Sequence, residues 1–241
     1  MTSVVEGVLQ AVEYQGDRGV VIKAVLARPQ QSAPAPGLVL LHEWWGLNEQ
    51  MVGMAQRFAQ EGFVTLAPNL YSRQGYKVTQ DAAEAGKLME SLSSQQALRD
   101  LNAGIAWMRQ QPFVDPLKVG LVGYSMGGSL SLMMAGHNSD VKAAVCVCGK
   151  TPPIETVDYF LCPILVLHAG KDTWVTRKEI DTLKDGLAQR GKPGDVAIYP
   201  DAGHAFYNDR RPEVYREADA RDAWRRMVAF LRRYLIRPVV S

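Results

Sequence analysis

The chain has 241 residues, of which 47% are hydrophobic and 22% are charged, and its formal net charge is +2 at pH 7. An α/β chain of this length commonly folds as one domain, so we expect a single domain over residues 1–241 with no internal boundary. The nearly balanced charge gives no broad electrostatic reason to bind nucleic acid or an anionic membrane, and we expect neither partner.

The amino-terminal segment and the cysteines indicate where the protein works. Residues 1–30 carry acids at Glu6 and Glu13 and lack a basic start followed by an apolar stretch, so no secretory signal is visible. No run of about eighteen apolar residues suggests a membrane span. Cys146 and Cys148 alternate on one face of a predicted strand, and the odd total of three cysteines leaves one unpaired. We therefore expect buried free thiols and a cytoplasmic protein.

Short aliphatic and β-branched runs alternate with helical patterns along the chain. Apolar residues recur at helical spacing from Leu98 to Met108 and from Trp224 to Leu235, and Thr176 with Glu179 makes a capping box. The arginines of the last helix alternate with acids and are expected on its solvated face. This order predicts a mostly parallel sheet of about eight strands with an antiparallel start and helices on both faces. The predicted strands span 4–14, 18–28, 37–42, 63–67, 118–124, 141–148, 162–169 and 195–200.

The segment 38–48 combines a predicted strand with a polar and aromatic loop. The strand runs into His42-Glu43-Trp44-Trp45-Gly46, and Asn48 is a favourable N-cap for the helix that follows. A zinc-binding helix motif would need a second histidine where the chain has Gly46, so no metal site is indicated. Further along, residues 69–78 have no clear pattern and are expected to form a mobile flap.

Residues 118–128 place a serine between a predicted strand and a predicted helix. The pattern Gly123-x-Ser125-x-Gly127 suits a sharp strand-to-helix turn, because glycine has no Cβ to collide with the neighbouring backbone. Such a turn exposes the Ser125 hydroxyl at the positive end of the helix, where backbone N–H groups stabilise an oxyanion. We therefore interpret Ser125 as a catalytic nucleophile; the alternative is an ordinary glycine-rich turn.

A serine nucleophile requires a base and an orienting acid, and both follow downstream. His204 lies just after the last predicted strand in a turn-forming stretch, and Asp172 follows the strand before it. The order Ser125, Asp172, His204 is that of the α/β-hydrolase fold, in which each group lies on a loop at the carboxyl edge of the sheet. Asp201 is a rival acid, although its place in a predicted turn favours a bond to its own backbone.

The other histidines have structural interpretations, and one of them borders a loop with a second function. His137 ends the helix after the serine, where histidine commonly caps carbonyl groups, and His168 lies inside a strand, where we expect it to be buried and hydrogen-bonded. The loop after His42 donates one backbone N–H of the oxyanion hole in this fold, and the residue after the nucleophile donates the other. We assign these donors to Trp44 and Met126.

Four sequence motifs resemble those of the dienelactone hydrolase family. They are His-Glu-Trp-Trp-Gly-Leu-Asn at 42–48, Gly-Tyr-Ser-Met-Gly-Gly at 123–128, Ala-Gly-Lys-Asp at 169–172 and Ala-Gly-His-Ala-Phe at 202–206, so the resemblance spans nearly the whole chain. It implies an α/β-hydrolase domain that hydrolyses esters or lactones without a cofactor, with catalytic roles at positions 125, 172 and 204. It also implies that Glu43 hydrogen-bonds the resting nucleophile and rearranges when substrate binds.

The nucleophile is the first departure from the family, whose usual residue is a cysteine where this chain has Ser125. A thiolate can be held beside an imidazolium, but a serine must lose its proton as it attacks. The activation scheme of the cysteine members therefore does not transfer intact. Ser125 is either a natural variant or a replacement of a cysteine, and in the second case activity would be very low.

The second departure concerns the substrate. Family members that hydrolyse dienelactone resemble one another in two arginines that bind the substrate carboxylate, and the approximately matching positions here are Ala82 and Asn208. Arg73 or Arg210 could substitute, although exposed loop arginines are more often solvated. We expect neutral, small to medium esters, bound at the mouth of the site mainly by loop aromatics. The candidate substrate-binding residues are Trp45, Tyr71, Arg73, Tyr76, Trp174, Phe206 and Asn208, with Trp44 and Tyr207 at the same mouth.

The sequence thus predicts an esterase or lactonase that works as a monomer through an acyl-enzyme, with Ser125 as nucleophile, His204 as base and Asp172 as orienting acid. Its partner is a small-molecule ester or lactone, and it requires no cofactor and no metal. Two alternatives stay open. One is an acyltransferase or peptidase on the same fold, and the other is a noncatalytic relative whose pocket binds a small hydrophobic molecule.

Overall fold

The computed structural model describes residues 7–236, and its strands and helices alternate in the predicted order. Within that range the strands are β1 (Val8–Gln15), β2 (Val21–Arg28), β3 (Ala35–Leu41), β4 (Val64–Pro68), β5 (Val114–Tyr124), β6 (Val141–Val147), β7 (Ile164–Ala169) and β8 (Gly194–Tyr199). The helices in the same range are α1 (Glu49–Gln60), α2 (Ala82–Ser91), α3 (Ser94–Arg109), α4 (Met126–Ala135), α5 (Arg177–Gln189) and α6 (Glu217–Leu235).

The described strands form one sheet of eight in the order β1-β2-β4-β3-β5-β6-β7-β8. β1 pairs antiparallel with β2 and β2 with β4, whereas β3–β4, β6–β7 and β7–β8 pair in parallel. The predicted mostly parallel sheet with an antiparallel start is therefore confirmed. Residues 4–6 of the first predicted strand lie outside the described residues. The second strand begins later than predicted because Asp17–Gly19 forms a 3-10 turn in which Arg18 has φ 56°.

The chain divides into two compact units within β5, after Leu121. In the first unit, α1 packs against β2 and β4, and α3 packs against β1, β3 and β4. In the second unit, α4 packs against β6, α5 against β8, and α6 against β6 and β7. One domain over 1–241 stays a prediction. None of the helices within residues 7–236 has the length and the apolar run that a membrane span needs.

The helices of the first unit bury the apolar stripes that their sequences contain. The Asn48 side chain accepts the N–H of Met51 at 3.1 Å, so the predicted N-cap of α1 is confirmed. α3 buries the predicted stripe of residues at helical spacing, which are Leu98, Leu101, Ile105 and Met108. Burial of one such face per helix supplies the main stabilising free energy of the unit.

The segment 69–78 is anchored by a charged side chain. Arg73 donates from Nε and Nη2 to the two carboxylate oxygens of Asp100, each at 2.9 Å, and from Nη2 to the carbonyl of Asp17 at 2.8 Å. Both side chains of this ion pair are mostly buried, and the two parallel bonds fix its geometry. Tyr71 in the same segment is fully buried. This anchoring argues against the mobile flap expected from the sequence.

A buried histidine, His42, joins the loops that follow β3 and β4. Its Nδ1 donates to the carbonyl of Glu43 at 2.6 Å, and its Nε2 accepts the N–H of Leu70 at 2.9 Å. Because one nitrogen faces an acceptor and the other a donor, the ring is neutral with its proton on Nδ1. Burial, opposed only in part by the bond to Glu43, lowers the pKa of His42 to about 4.

Acid should destabilise the protein through His42. Its folded-state pKa is about 4 and its ordinary value is 6.5, so between these limits the unfolded state binds more protons. The free energy of unfolding is expected to fall as the pH drops from 6.5 to 4, by about 3 kcal/mol from this residue at the lower limit. Urea unfolding at several pH values measures the slope. The slope should be shallower in His42→Gln, and equal slopes in the two proteins would contradict the assignment.

The second unit bears out three local predictions. α5 begins with the capping box, in which the N–H of Thr176 donates to Glu179 Oε2 at 2.7 Å and the N–H of Glu179 donates to Thr176 Oγ1 at 3.3 Å. On α6 the arginines pair with acids three or four residues away, for example Arg226 with Asp222, on a solvated face. The cysteines of the chain are buried and free, as expected.

His168 in β7 differs from its prediction. It is buried as expected, at 1% exposed, but neither ring nitrogen has a hydrogen-bond partner among the described residues. The expected hydrogen bond is therefore wrong. Burial is the largest cause that lowers the pKa of His168, so the ring is neutral and its two nitrogens are buried without hydrogen bonds to the described residues.

Replacing His168 by leucine should stabilise the protein. An unsatisfied buried polar group typically costs about 1–3 kcal/mol, and leucine removes that cost while it fills most of the ring volume. His168→Gln is the matched control, since its amide keeps polar atoms at the same place. Thermal unfolding is expected to give the order His168→Leu above wild type above His168→Gln. A leucine variant no more stable than the glutamine variant would show that the ring is satisfied in solution.

Candidate active site

The turn between β5 and α4 places Ser125 in a backbone conformation that few side chains adopt. Ser125 has φ 51° and ψ −115°, where a residue with a Cβ is strained. Two hydrogen bonds hold it there: its N–H donates to the carbonyl of Val147 at 2.8 Å, and its own carbonyl accepts the N–H of Ser129 at 3.1 Å. The serine therefore caps the start of α4 and is tied to the end of β6.

Glycines clear the space around this turn. A Cβ on Gly123 would collide with the carbonyl of Gly127, and a Cβ on Gly149 would collide with the N–H of Ser129. A Cβ on Gly128 would lie 3.1 Å from the Sγ of Cys146. Gly123, the first glycine of the Gly-x-Ser-x-Gly pattern, is thus required by the close approach of the backbone, which is the reason given for it from the sequence.

The structure brings together the three residues predicted to react. Ser125 Oγ lies 2.9 Å from His204 Nε2, and His204 Nδ1 lies 2.7 Å from Asp172 Oδ2. The Asp172 carboxylate is fully buried, whereas 31% of the His204 side chain is exposed. A hydroxyl, an imidazole and a carboxylate thus form one hydrogen-bonded row that opens to solvent at the imidazole.

Asp172 is held by both of its oxygens. Oδ2 faces His204, and Oδ1 accepts the N–H groups of Trp174 at 2.8 Å and Val175 at 3.2 Å. Burial alone would raise the pKa of Asp172, but the hydrogen bond and charge of His204 and the two amides outweigh it and lower the pKa below its ordinary value. Asp172 is therefore ionised at neutral pH, and it fixes the imidazole with the proton on Nδ1.

Two residues weighed as alternatives lie elsewhere. Asp201, the rival acid, forms an ion pair with Lys171 at 3.0 Å, and 66% of its side chain is exposed. His137 donates from Nδ1 to the carbonyl of Met133 at 2.7 Å, at the end of α4 as its capping interpretation predicted. Only one carboxylate among these candidates faces His204.

Trp174, Phe206 and Asn208 are the substrate-binding candidates of the second unit, and one of them contacts His204. The ring of Trp174 meets the imidazole edge to face, with centroids 5.4 Å apart, and Lys150 Nζ lies 5.2 Å from the Trp174 ring centroid. Phe206 is fully buried, and Asn208 is 3% exposed with its Oδ1 accepting the N–H of Arg210 at 3.0 Å. Trp174 is the half-exposed member of this group, and the substrate-binding roles of all three stay predictions.

The remaining candidates belong to the first unit. Glu43 is 2% exposed, and the half-buried rings of Trp44 and Trp45 meet with centroids 4.8 Å apart. Tyr71 donates its hydroxyl to the carbonyl of Trp44 at 2.9 Å, and Tyr76 donates its hydroxyl to a carbonyl at the start of β2 at 3.2 Å. These contacts fix the rings, and the catalytic and binding roles predicted for them stay predictions.

Cys148 lies beside the reacting row, and the sequence interpretation missed it. Donor atoms of Cys148, Asp172 and His204 all lie within 4.8 Å of one another, and Cys148 has φ 52°. Burial first, and the Asp172 charge next, raise the pKa of the thiol well above its ordinary value. Metal ligands must be deprotonated thiols and imidazoles with a free nitrogen. Because the Cys148 thiol is neutral and both nitrogens of His204 are hydrogen-bonded, packing explains this cluster better than a metal site. The sequence feature that could have indicated this contact is the position of Cys148 just after β6, because β6 pairs with β7, the strand that Asp172 follows.

Comparison with known proteins identifies the family. The model of the dienelactone hydrolase family matches residues 22–235. The chain belongs to the dienelactone hydrolase family. The predicted family, the α/β-hydrolase fold and a hydrolytic enzyme are therefore confirmed at this level.

Two relatives and a solved structure match this chain over most of their own length. A protein of Methylorubrum extorquens named "Putative carboxymethylenebutenolidase" is 31% identical over 226 residues, which are 89% of this chain and 77% of that one. "Protein usf" of Aquifex pyrophilus is 32% identical over 234 residues, 94% of this chain and 99% of that one. A crystal structure from Klebsiella pneumoniae, described as a "Putative Dienelactone Hydrolase", has a TM-score of 0.86 and 29% identity, covering 94% and 100% of the two chains.

Adding one methyl group at Gly123 should disrupt the turn that holds Ser125. Gly123→Ala forces its Cβ onto the Gly127 carbonyl, so we expect loss of stability and at least a hundredfold loss of ester hydrolysis. The matched control is Gly53→Ala in α1, where a Cβ meets no described atom within 4 Å. That change should keep activity and raise the free energy of unfolding by about 0.5–1 kcal/mol. Full activity in Gly123→Ala would contradict the steric argument.

Proposed function

We propose that the protein hydrolyses carboxylic esters or lactones through an acyl-enzyme formed on Ser125. The observation that carries the proposal is the hydrogen-bonded row in which Ser125 Oγ lies 2.9 Å from His204 Nε2 and His204 Nδ1 lies 2.7 Å from Asp172 Oδ2. Nucleophile, base and orienting acid must be within hydrogen-bond reach for this chemistry. Membership of the dienelactone hydrolase family supports the same reaction class.

In the proposed mechanism His204 transfers one proton during formation of the acyl-enzyme and another during its hydrolysis. Its Nε2 accepts the proton of the Ser125 hydroxyl as Oγ attacks the ester carbonyl, and it then gives that proton to the leaving alkoxide. Water repeats the sequence on the acyl-enzyme and releases the acid. Asp172 stays ionised throughout, because its lowered pKa lies far below the working pH, and it stabilises the imidazolium that forms at each step.

Two backbone N–H groups would hold the negative oxygen of the tetrahedral intermediate. Met126 is the first residue of α4, where the helix dipole favours negative charge. The N–H of Trp44 has no hydrogen-bond acceptor among residues 7–236, which leaves it available to a substrate oxygen. We also propose, from the family resemblance, that the buried Glu43 bonds the resting hydroxyl and moves when substrate binds.

Neutral esters or lactones of small to medium size are the proposed substrates. Arg73, a candidate for binding a substrate carboxylate, already has its charge compensated by Asp100, and Asn208 offers an amide in place of a cation. The half-buried rings of Trp45 and Trp174 supply apolar contact area. The relatives named "Putative carboxymethylenebutenolidase" support lactones within this class.

The alternatives differ from this proposal in their products. A peptidase would release an amine, and an acyltransferase would require an acceptor alcohol or amine in place of water. A noncatalytic relative would bind ligand without turnover, and the 2.9 Å and 2.7 Å hydrogen bonds of the row make this alternative weaker.

Removal of any member of the row should abolish most of the hydrolysis of p-nitrophenyl acetate. Ser125→Ala and Asp172→Asn are each expected to lower kcat by about a thousandfold to a millionfold, because the three side chains act as one unit. Asp201→Asn is the matched control, since its carboxylate pairs with Lys171 away from His204 and should leave kcat unchanged. Turnover of Ser125→Ala within tenfold of wild type, or equal losses in the two aspartate variants, would overturn the proposal.

A further inference from the structure

In the loop after β3, residues 43–46, three successive carbonyl groups accept hydrogen bonds. The carbonyl of Glu43 accepts Nδ1 of His42 at 2.6 Å and the N–H of Gly46 at 3.3 Å. Gly46 has φ 88°, and a Cβ there would collide with the carbonyl of Lys77, so the return of the loop requires glycine. The carbonyl of Glu43 is therefore held both by the buried ring of His42 and by the turn that ends at Gly46.

The next two carbonyls are held as well. That of Trp44 accepts the hydroxyl of Tyr71 at 2.9 Å, and that of Trp45 accepts the N–H of Thr79 at 3.1 Å. Three successive carbonyl groups are thus bonded, the first to the adjacent His42 and the other two to Tyr71 and Thr79 in the segment after β4. Such a loop has little freedom to rotate its peptide planes.

Because a peptide group is planar, a bond that fixes the carbonyl of Glu43 also fixes the direction of the N–H of Trp44. The carbonyl of Glu43 and the N–H of Trp44 belong to the same planar peptide, in which they point in opposite directions because the described chain has no cis peptide bond. A donor that fixes the carbonyl therefore fixes the N–H as well. That carbonyl is the partner of His42, whereas no group among residues 7–236 accepts the Trp44 N–H.

We propose that His42 is a positioning residue for catalysis: its Nδ1–H fixes the Glu43–Trp44 peptide and with it the direction of the Trp44 N–H, the proposed oxyanion donor. This inference rests on the proposed function, in which that N–H is an oxyanion donor. His42 never touches substrate and acts only through the peptide that it holds.

His42 is itself fixed from its far end, as a positioning residue must be. Its Nε2 accepts the N–H of Leu70 at 2.9 Å, and its ring meets Tyr71 with centroids 5.2 Å apart. The residue is completely buried, and burial keeps it neutral above about pH 4, the value to which its pKa is lowered. The donor to Glu43 is therefore present across the whole neutral range.

Two amide variants separate the two bonds of the ring. The side-chain amide of His42→Asn reaches the place of Nδ1 and can still donate to Glu43, but it cannot reach Leu70. The longer amide of His42→Gln reaches the place of Nε2 and can still accept from Leu70, but it leaves the Glu43 carbonyl without this donor. Each variant loses one bond, so a purely structural role predicts similar losses in both.

The kinetic expectation is a loss confined to kcat. Removing one oxyanion donor costs about a hundredfold to a thousandfold in kcat, and a misdirected donor should approach the lower figure. We expect His42→Gln to lower kcat by about tenfold to a hundredfold with little change in KM, because the oxyanion exists only in the transition state. His42→Asn should stay within about threefold of wild type. Turnover is normalised to the p-nitrophenol burst, which counts folded, competent sites.

The outcomes separate this inference from the proposed function. If wild-type turnover does not depend on Ser125, the proposed function fails. If it does depend on Ser125 but the two amide variants lose kcat equally, or neither loses it, the positioning role of His42 is overturned. Should either variant not fold, nitrogen NMR of the wild type decides instead: a neutral ring protonated on Nδ1 at pH 7 is expected, and a proton on Nε2 would overturn the inference.

Discussion

The backbone of Ser125, at φ 51° and ψ −115°, is the constraint on which the proposed chemistry depends. A serine in an ordinary strand would direct its side chain roughly perpendicular to the sheet, whereas this turn at the end of β5 directs Oγ to His204 Nε2 at 2.9 Å. Strain of this kind costs about 1–3 kcal/mol and persists only where the surroundings fix it. The bond to Val147, the first turn of α4 and the clearance around Gly123 provide that support.

Buried polar groups in this protein follow two opposite patterns. The imidazole of His204 is engaged on both nitrogens, and Asp172 is bonded through both oxygens. The ring of His42 is likewise bonded at both ends, and it holds the loop of the proposed oxyanion donor. His168, equally buried, has no hydrogen-bond partner among the described residues. Fully satisfied networks fix geometry, and an unsatisfied one only costs stability.

Local patterns predicted much of this molecule because the corresponding interactions are local. The strands, the Asn48 cap and the Thr176 box follow from residues within a few positions of one another. The pairing of Arg73 with Asp100 and the place of Cys148 beside Asp172 depend on elements far apart in the chain. The absence of a partner for His168 is also a property of packing that no local pattern encodes. Ser125, Asp172 and His204 were found from the order of their loops, which the fold class supplies.

Covalent labelling of the intact protein tests the central claim, a serine activated by a neighbouring imidazole, most directly. Diethyl p-nitrophenyl phosphate reacts with an activated serine and leaves a stable phosphoryl group on its oxygen. Intact mass and peptide mapping should find one such group per chain, on Ser125, with labelling lost in Ser125→Ala and strongly slowed in His204→Gln. Ester turnover without any adduct on Ser125, or an adduct on another residue that accounts for the loss of activity, would contradict the account.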